Sequence, residues 1–345
     1  MLYFAPMKVV IAPDSFKECL PSPRVAAALA AGVKARWPMA EVVEIPLADG
    51  GEGTLDVLAA AMGASVFEAP VHDPLGRPVT ARYGVLKDIA IIEVAQAVGL
   101  SLLAPGERNP LKASSAGLGE LLLAAYDRGC RHFIAGLGGT AICDGGAGLM
   151  DVPGIGRLQE CRFELLCDVD APFVGPRGAA RVFAPQKGAS PEEVELLEKR
   201  MQEQAARLLL TTGMDVTAMP GAGAAGGLGG AMMAFFKADM CPGIRRILDL
   251  VHFPDTIRGA SLIVTGEGKS DAQTLMGKVP MGVLQNAAGI PVALLSGRVE
   301  DRPALLQAGF SPIIEVTPRS LPLSQALNPQ VTVQNLFLAA RNLTT

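Results

Sequence analysis

Short apolar runs alternate with amphipathic segments at both ends of the chain. The β-branched run Lys8–Asp14 predicts a strand, and apolar residues then recur at helical spacing through 21–37, where Ser22 can cap a helix and Pro23 suits its first position. The same pattern predicts a strand at 41–47, a helix at 53–62 and strands at 262–265, 292–295 and 313–316. Such alternation indicates an α/β fold with a doubly wound parallel sheet, which binds ligands at the carboxyl ends of its strands.

The middle of the chain has a different pattern. Residues 65–100 consist of extended segments broken by turn residues, which is typical of antiparallel or mixed sheet. A helix at 115–128, strands at 132–137 and 162–169, and a long helix with a capping box from Ser190 to Glu193 are predicted after it. We therefore predict a discontinuous Rossmann-like doubly wound domain formed by residues 7–64 and 255–345, and an inserted mixed α/β domain at 65–254 that carries glycine-rich loops.

Composition narrows the class of protein. The 345 residues suffice for two domains, and a net charge of −4 without a block of like charges indicates neither a nucleic-acid nor a membrane partner. The six cysteines have no metal-ligand spacing, and the N-terminus lacks the features of a secretory signal, so we expect a cytoplasmic protein with reduced thiols. The uncharged run 216–236 contains six glycines and Pro220, which favours a glycine-rich loop leading into a buried helix over a membrane span.

Four stretches join glycine to an acid or a hydroxyl: 49–54, 138–146, 221–227 and 265–271. Glycine allows backbone N–H groups to approach a phosphate, and carboxylates provide oxygen ligands for magnesium. Each stretch is equally compatible with a tight turn at the end of a strand.

Two nucleotide-binding motifs are incomplete. Gly268-Lys269-Ser270 would end a P-loop, but Ile263 stands where the first glycine is required. Gly221, Gly223 and Gly226 match a dinucleotide fingerprint, but no buried strand precedes them, so an NAD-linked oxidoreductase remains a minor alternative.

Several charged residues follow predicted strands or glycines. Asp168 comes directly after the apolar run 163–167 and is a candidate acid for a cleft, although a turn role is equally compatible. Lys17, Lys187 and Lys278 lie in loops beside other polar residues. The three histidines form no catalytic constellation.

The order of these motifs resembles that of bacterial glycerate kinases of the glycerate 2-kinase type. The matching blocks run almost from end to end, at 10–18, 48–54, 109–111, 138–148, 167–169, 185–188, 220–227 and 265–274. The resemblance implies a kinase with two α/β domains and an active site in the cleft between them. It implies that ATP and Mg2+ are used to phosphorylate D-glycerate, on the 2-hydroxyl, to 2-phosphoglycerate.

Carried over to this sequence, the family pattern implies catalytic roles for Asp168 and Lys17 and a metal ligand at Glu267. It implies substrate or phosphate contacts at Asp14, Ser15, Asp49, Gly50, Gly51, Glu52, Asn109, Gly138, Gly139, Thr140, Asp144, Lys187, Gly221, Gly223, Gly226, Gly227, Thr265, Gly266, Gly268 and Asp271. The sequence leaves a homodimer open.

This chain departs from the family pattern in two places. Cys143 stands where the family pattern has asparagine. Residues 151–160, which have only ordinary loop length, replace a segment that is about thirty residues longer in the family pattern and contains strand and helix. A strand of the middle domain is therefore expected to be absent, with displacement of Asp168. These departures support the alternative of a catalytically impaired homologue that binds an organic acid, and phosphorylation of the 3-hydroxyl of glycerate is also left open.

Overall fold

The structure is a computed structural model that describes residues 7–344. Its strands are β1 (Lys8–Ile11), β2 (Glu41–Glu44), β3 (Ser65–His72), β4 (Pro78–Leu86), β5 (Ile89–Glu93), β6 (His132–Gly136), β7 (Arg162–Leu166), β8 (Asp239–Cys241), β9 (Leu262–Thr265), β10 (Lys269–Ser270), β11 (Val292–Ser296), β12 (Arg298–Val299) and β13 (Ile313–Glu315). Its α-helices are α1 (Ser22–Arg36), α2 (Thr54–Met62), α3 (Ala95–Val98), α4 (Ala116–Asp127), α5 (Ala147–Met150), α6 (Ala179–Phe183), α7 (Pro191–Thr212), α8 (Leu228–Phe236), α9 (Gly243–Leu250), α10 (Phe253–Thr256), α11 (Val279–Gln285), α12 (Arg302–Ala308), α13 (Leu323–Ala326) and α14 (Pro329–Arg341).

The chain divides into two compact units. The discontinuous unit combines the residues up to Asp49 with those from Ile244 onward, and the inserted unit is Gly50–Gly243. The expected boundaries lay at 64/65 and 254/255. The difference at the first boundary has a physical cause, because α2 packs against β4 and β5 of the inserted unit.

The discontinuous unit contains a parallel sheet in the order β13-β11-β9-β1-β2. Both of its faces are covered. Val9 and Ile11 belong to a core shared with α1 and α14, while Val10, which points the other way, is also fully buried. In order of appearance within the unit the strands run 2-1-3-4-5, a doubly wound order whose switch point lies between β1 and β9.

The inserted unit contains a six-stranded mixed sheet in chain order from β3 to β8. The first three strands pair antiparallel, and β5 to β8 pair parallel. Phe133, Phe163 and Phe236 stack in its core with ring centroids 4.6 Å apart in each consecutive pair. The two sheets confirm the predicted fold class.

The short connection before β7 does not interrupt this sheet. After α5, residues 151–161 form turns and a single 3-10 turn, and Ile155 and Leu158 are buried in the core. β7 then pairs in register with β6 and β8. Asp168 therefore follows a strand that is held on both sides.

The predicted caps are partly borne out. At α7, Ser190 Oγ accepts a hydrogen bond from the Glu193 N–H, and the Glu193 carboxylate accepts one from the Ser190 N–H, as the capping box predicts. The expectation at α1 was wrong, because Pro21 occupies the cap and Ser22 is already helical. The run 216–236 is a glycine-rich turn followed by the nine-residue α8, as expected, and none of the helices in residues 7–344 has the length and apolarity needed to cross a bilayer.

Candidate active site

The loops that follow β1 and β9 are tied together at the switch point of the discontinuous unit. The Asp14 N–H donates to the Gly266 carbonyl at 2.8 Å, and the Thr265 hydroxyl donates to the Ala12 carbonyl at 2.7 Å. Thr265 is fully buried, so its side chain joins the two loops. These bonds bring Asp14 and Glu267, which continue the two strands, to the same edge of the sheet.

Asp14 is a buried acid. Its side chain is 4% exposed and accepts a hydrogen bond of 2.6 Å from the Ser15 N–H. Burial, and secondarily the charge of Asp49, raise the pKa of Asp14 to about 8, although the hydrogen bond from the Ser15 N–H and the charge of Lys17 act in the opposite direction. Asp14 is therefore mostly protonated at neutral pH.

Glu267 is also buried, and hydroxyl groups surround one of its oxygens. Oε1 accepts hydrogen bonds from Ser270 Oγ at 3.0 Å and Thr274 Oγ1 at 2.5 Å. Ser270 Oγ lies a further 2.7 Å from Ser296 Oγ, so the acid is anchored to β11 as well. Burial raises the pKa of Glu267, although these hydroxyls and Lys278 oppose the shift.

Close backbone packing explains the glycine that follows Thr265. A Cβ at Gly266 would lie 1.8 Å from the Leu295 carbonyl oxygen, whereas a Cβ at Gly268 would have its nearest neighbour 3.5 Å away. Lys269–Ser270 forms β10 and pairs with β12, so the stretch is not a P-loop. Asp271 accepts a hydrogen bond from the Gln273 N–H and faces Lys269 at 3.4 Å.

A cavity of about 350 Å³ opens beside these residues, within the discontinuous unit. Asp14, Ser15, Lys17, Glu267 and Gly268 all line it, so the structure brings these predicted residues together. Lys278 lines it too. In the sequence, only the preceding glycine distinguishes Lys278.

Asp168 lies in the inserted unit, just past the carboxyl end of β7. It is exposed, and its Oδ1 accepts a hydrogen bond of 2.8 Å from the Gly243 N–H. An exposed carboxylate at the end of a parallel strand has the placement expected of an acid that meets a ligand.

The Asp144 carboxylate connects its own loop to the start of α4 through hydrogen bonds. Oδ2 accepts hydrogen bonds from the Ser115 N–H at 2.8 Å, the Ser115 hydroxyl at 2.7 Å and the Gly148 N–H at 3.1 Å, and Oδ1 accepts one from the Gly146 N–H. These four bonds use most of the acceptor capacity of the carboxylate. A structural role therefore accounts for Asp144.

Lys187 is a buried cation in the same region. Its ammonium donates to Thr140 Oγ1 at 3.1 Å and to the Ile142 carbonyl at 2.6 Å, and the side chain is 3% exposed. Burial lowers the pKa of Lys187 to about 8. Cys143, which follows Ile142, is packed in an apolar cluster, and burial raises the pKa of its thiol to about 11.

The glycines of the inserted unit lie where backbone segments meet. A Cβ at Gly50 would lie 2.6 Å from the Leu166 carbonyl oxygen, and one at Gly226 would lie 2.1 Å from that of Ile142. The same close packing applies at Gly138, beside Gly51, and at Gly223 and Gly227, while Gly139 and Gly221 have positive φ. Glu52 is exposed before α2, and the Asn109 side chain accepts a hydrogen bond from the Leu111 N–H.

Sequence reasoning missed the buried acid beside the glycine-rich turn at 50–53, which is Glu93. Its Oε2 accepts hydrogen bonds of 3.1 Å from the Gly53 and Leu55 N–H groups at the start of α2, and burial raises its pKa. The available signal was an acid that closes the apolar run of β5. Glu93 positions the glycine-rich turn at 50–53.

Comparison with known proteins agrees with this fold and these motifs. The model of the Glycerate kinase family matches residues 9–156 and 151–345, and the two matched segments overlap at 151–156, in the short connection before β7. A glycerate kinase of Bacillus cereus is 39% identical over 371 aligned positions, covering 98% of this chain and 97% of the relative. The glycerate 2-kinase of Escherichia coli K12 is 36% identical with the same coverage.

A solved structure agrees as well. The crystal structure assigned to glycerate kinase 2 of Salmonella typhimurium LT2 has a TM-score of 0.84 and 37% identity, and the match covers 98% of this chain and 97% of that one. Fold and similarity together define a kinase of the α/β class. The chain belongs to the glycerate kinase family.

Proposed function

We propose that this protein transfers the γ-phosphoryl group of ATP to the 2-hydroxyl of D-glycerate and so forms 2-phosphoglycerate. The observation that carries the proposal is the similarity, over almost the whole chain, to proteins named glycerate kinase, one of which is named glycerate 2-kinase. The ordered β7 and the buried Cys143 favour a working enzyme over an impaired homologue, because the short connection and the replaced asparagine are both accommodated in the core.

The residues present fit a magnesium ion that arrives with the nucleotide. No group of three histidine, cysteine or acidic side chains within residues 7–344 could hold a metal by itself. Mg2+ in kinases uses one or two carboxylates and completes its shell with phosphate oxygens and water. Glu267, which has hydroxyl partners on one oxygen only among the described residues, would supply one carboxylate. Asp14 would supply a second by releasing its proton when the ion binds. When bound, the ion would neutralise phosphate charge.

The proposed chemistry assigns one step to each charged group. Asp168 accepts the proton of the glycerate 2-hydroxyl while the hydroxyl oxygen attacks the γ-phosphorus of ATP. The bond between the γ-phosphorus and the β,γ-bridging oxygen then breaks, and ADP is released. Lys17 neutralises charge on the phosphates. Support for these roles comes from the exposure of Asp168 at a strand end and from the position of Lys17 beside the buried acids.

The direct test is a reaction of the purified protein with MgATP and D-glycerate, followed by phosphorus NMR of the product. We expect ADP formation that depends on glycerate and magnesium, and a phosphorus signal coupled to the single proton on C2. A signal coupled to the two protons on C3 would instead assign 3-phosphorylation. Binding of glycerate without any product would identify an impaired homologue.

A matched pair of variants tests the role of Asp168. We expect Asp168→Asn to lower kcat by about 100-fold or more, as is typical for loss of a general base, with unfolding unchanged. Asp170→Asn removes a neighbouring exposed carboxylate of the same charge and should change kcat less than about twofold. Equal activity in the two variants would exclude Asp168 as the base.

A further inference from the structure

Arg108 is a half-buried cation of the inserted unit whose guanidinium has no partner among residues 7–344. Its Nε is withdrawn from solvent and forms no hydrogen bond, and the only other buried side-chain nitrogen or oxygen of this range in that condition is Glu198 Oε2. Arg108 forms no salt bridge with a described residue either. Because buried polar groups in native proteins are nearly always hydrogen-bonded, the Nε–H group requires an explanation.

The acid that adjoins Arg108 in the sequence is already paired with other groups. Glu107 Oε1 accepts a hydrogen bond from Arg77 at 2.7 Å, and Glu107 Oε2 accepts one from the Ala104 N–H at 3.0 Å. Arg77 also pairs with Asp73 at 2.6 Å. Since a guanidinium stays charged and can only donate hydrogen bonds, Arg108 keeps its charge and its donors for an anion that is not part of the chain.

The contacts of Arg108 lie at the carboxyl edge of the six-stranded sheet. A Cβ at Gly188 would lie 3.2 Å from the Cβ of Arg108, so the arginine side chain begins against the loop that carries Lys187. Lys187 in turn binds Thr140, which follows the carboxyl end of β6. β6 pairs in register with β7, the strand that precedes Asp168. Arg108 and the proposed proton acceptor therefore belong to the same edge of one sheet.

We propose that Arg108 binds the carboxylate of the acceptor and thereby makes the enzyme select hydroxy acids over neutral polyols. The proposal rests on the proposed function, since it concerns the acceptor of that reaction. In glycerate the carboxylate is bonded to the carbon that carries the 2-hydroxyl, so the residue that holds it must lie at the same edge as Asp168. Nε and one Nη of a guanidinium donate side by side to the two oxygens of a carboxylate. The carboxylate thus supplies the acceptor that the buried Nε lacks.

Calorimetric titration of the full chain with D-glycerate and with its neutral amide, D-glyceramide, tests this role. Arg108→Gln removes the charge, so we expect D-glycerate to bind at least about tenfold more weakly, while the affinity for D-glyceramide changes less than about threefold. Arg108→Lys keeps the charge without the paired donors and should recover part of the glycerate affinity. Arg82→Gln is the matched control, because Arg82 is a half-buried arginine of the same unit that is paired with Asp56. It should leave both affinities unchanged.

Steady-state kinetics and thermal unfolding separate this role from a structural one. In Arg108→Gln we expect the KM for D-glycerate to rise at least about tenfold and the KM for ATP to stay within about twofold. Because the guanidinium has no partner in the described chain, the melting temperature of the unliganded variant should not fall. A lower melting temperature with unchanged glycerate affinity would identify a structural role and overturn the proposal. A higher KM for ATP alone would assign the anion to the nucleotide phosphates and would overturn it as well.

The same measurements separate this proposal from the proposed function. If the protein phosphorylates D-glycerate and Arg108→Gln leaves the KM for glycerate unchanged, the carboxylate site is wrong and the function stands. If D-glycerate binds to the unaltered protein but not to Arg108→Gln, and no product forms in either, the function is wrong and the carboxylate site stands. Absence of glycerate binding in the unaltered protein would overturn both.

Discussion

At the scale of single residues, the main feature of the discontinuous unit is a carboxyl group, Asp14, which is removed from water beside other acids. Its pKa rises from the ordinary value of 3.8 to about 8, mainly because burial disfavours the charged form and secondly because Asp49 is also negative. The folded protein therefore holds a proton at Asp14 that the unfolded chain releases between these pH values. In that interval Asp14 lowers the free energy of unfolding increasingly as pH rises.

This linkage predicts that Asp14→Asn stabilises the protein. Asparagine keeps an acceptor for the Ser15 N–H but does not ionise. At pH 7 the free energy of unfolding should increase, by about 1–4 kcal/mol, since each unit of pKa shift corresponds to about 1.4 kcal/mol. Denaturant unfolding at several pH values measures this. The gain should disappear below pH 4, and a gain that is independent of pH would contradict the assigned cause.

Lys187 is a second buried ionisable residue whose contacts should affect the free energy of unfolding. Its ammonium donates to Thr140 and to the Ile142 carbonyl inside the inserted unit. Lys187→Met leaves both acceptors without this donor, and we expect the free energy of unfolding to fall by about 2–4 kcal/mol. Lys199→Met removes an exposed lysine of α7 and should change it by less than about 0.5 kcal/mol. Unchanged stability in Lys187→Met would show that water satisfies the two acceptors.

At the scale of elements, backbone contacts decide where glycine is required. Gly266 and Gly268 flank Glu267, but only Gly266 lies against the backbone of β11. Neither glycine has a positive φ, so the contrast depends on space alone. The sequence, in which both appear within one glycine-rich stretch, could not distinguish them because the crossing strand comes from about thirty residues further along.

We therefore expect alanine to be tolerated at position 268 and not at position 266. Gly266→Ala should lower the free energy of unfolding by about 3 kcal/mol or more, because the crossing backbone must shift to admit the methyl group. Gly268→Ala should cost less than about 1 kcal/mol, since the new methyl group makes an ordinary van der Waals contact. Chemical denaturation of both proteins measures the difference, and similar losses would disprove the tight crossing at Gly266.

Element types were predicted well where a pattern extends over several turns. The long amphipathic α7 and its capping box follow directly from Ser190, Pro191 and Glu193. The three-residue β8 and the two-residue β10 and β12 have no room for periodicity, so only tertiary pairing defines them. The cap of α1 was wrong because Pro21 already has the extended backbone of a cap and Ser22 can continue into the helix.

At the scale of the whole molecule, the alternation of strands and helices was enough to predict two units but not their boundaries. Residues 50–64 carry a glycine-rich turn and a helix, a pattern that would also continue a doubly wound sheet. Tertiary contacts of α2 with β4 and β5, and of its N-terminus with Glu93, decide the question. Asp14 and Glu267 became candidate site residues because their motifs resemble the family pattern, whereas Asp168 was also indicated by the apolar run that precedes it. The structural functions of Asp144 and Lys187 depend on partners distant in sequence.

The observed boundary predicts that the inserted unit folds alone. Residues 50–243 contain the whole six-stranded sheet and its aromatic core, and Glu93 caps α2 within the same fragment. A protein consisting of these residues should unfold cooperatively, with the circular dichroism of a mixed α/β domain. A matched fragment from residue 65 lacks α2 and should be less stable. Equal stability of the two fragments would argue for the boundary expected from the sequence.

The central strand pair of the discontinuous unit has a consequence for synthesis on the ribosome. β1 pairs with β9, which leaves the ribosome about 250 residues later. β1 therefore cannot form this pairing until the entire inserted unit has been translated. The contiguous inserted unit can meanwhile acquire its structure. The nascent N-terminal segment, with its β-branched strand unpaired on one side, is then the part of the chain that chaperones would need to shield.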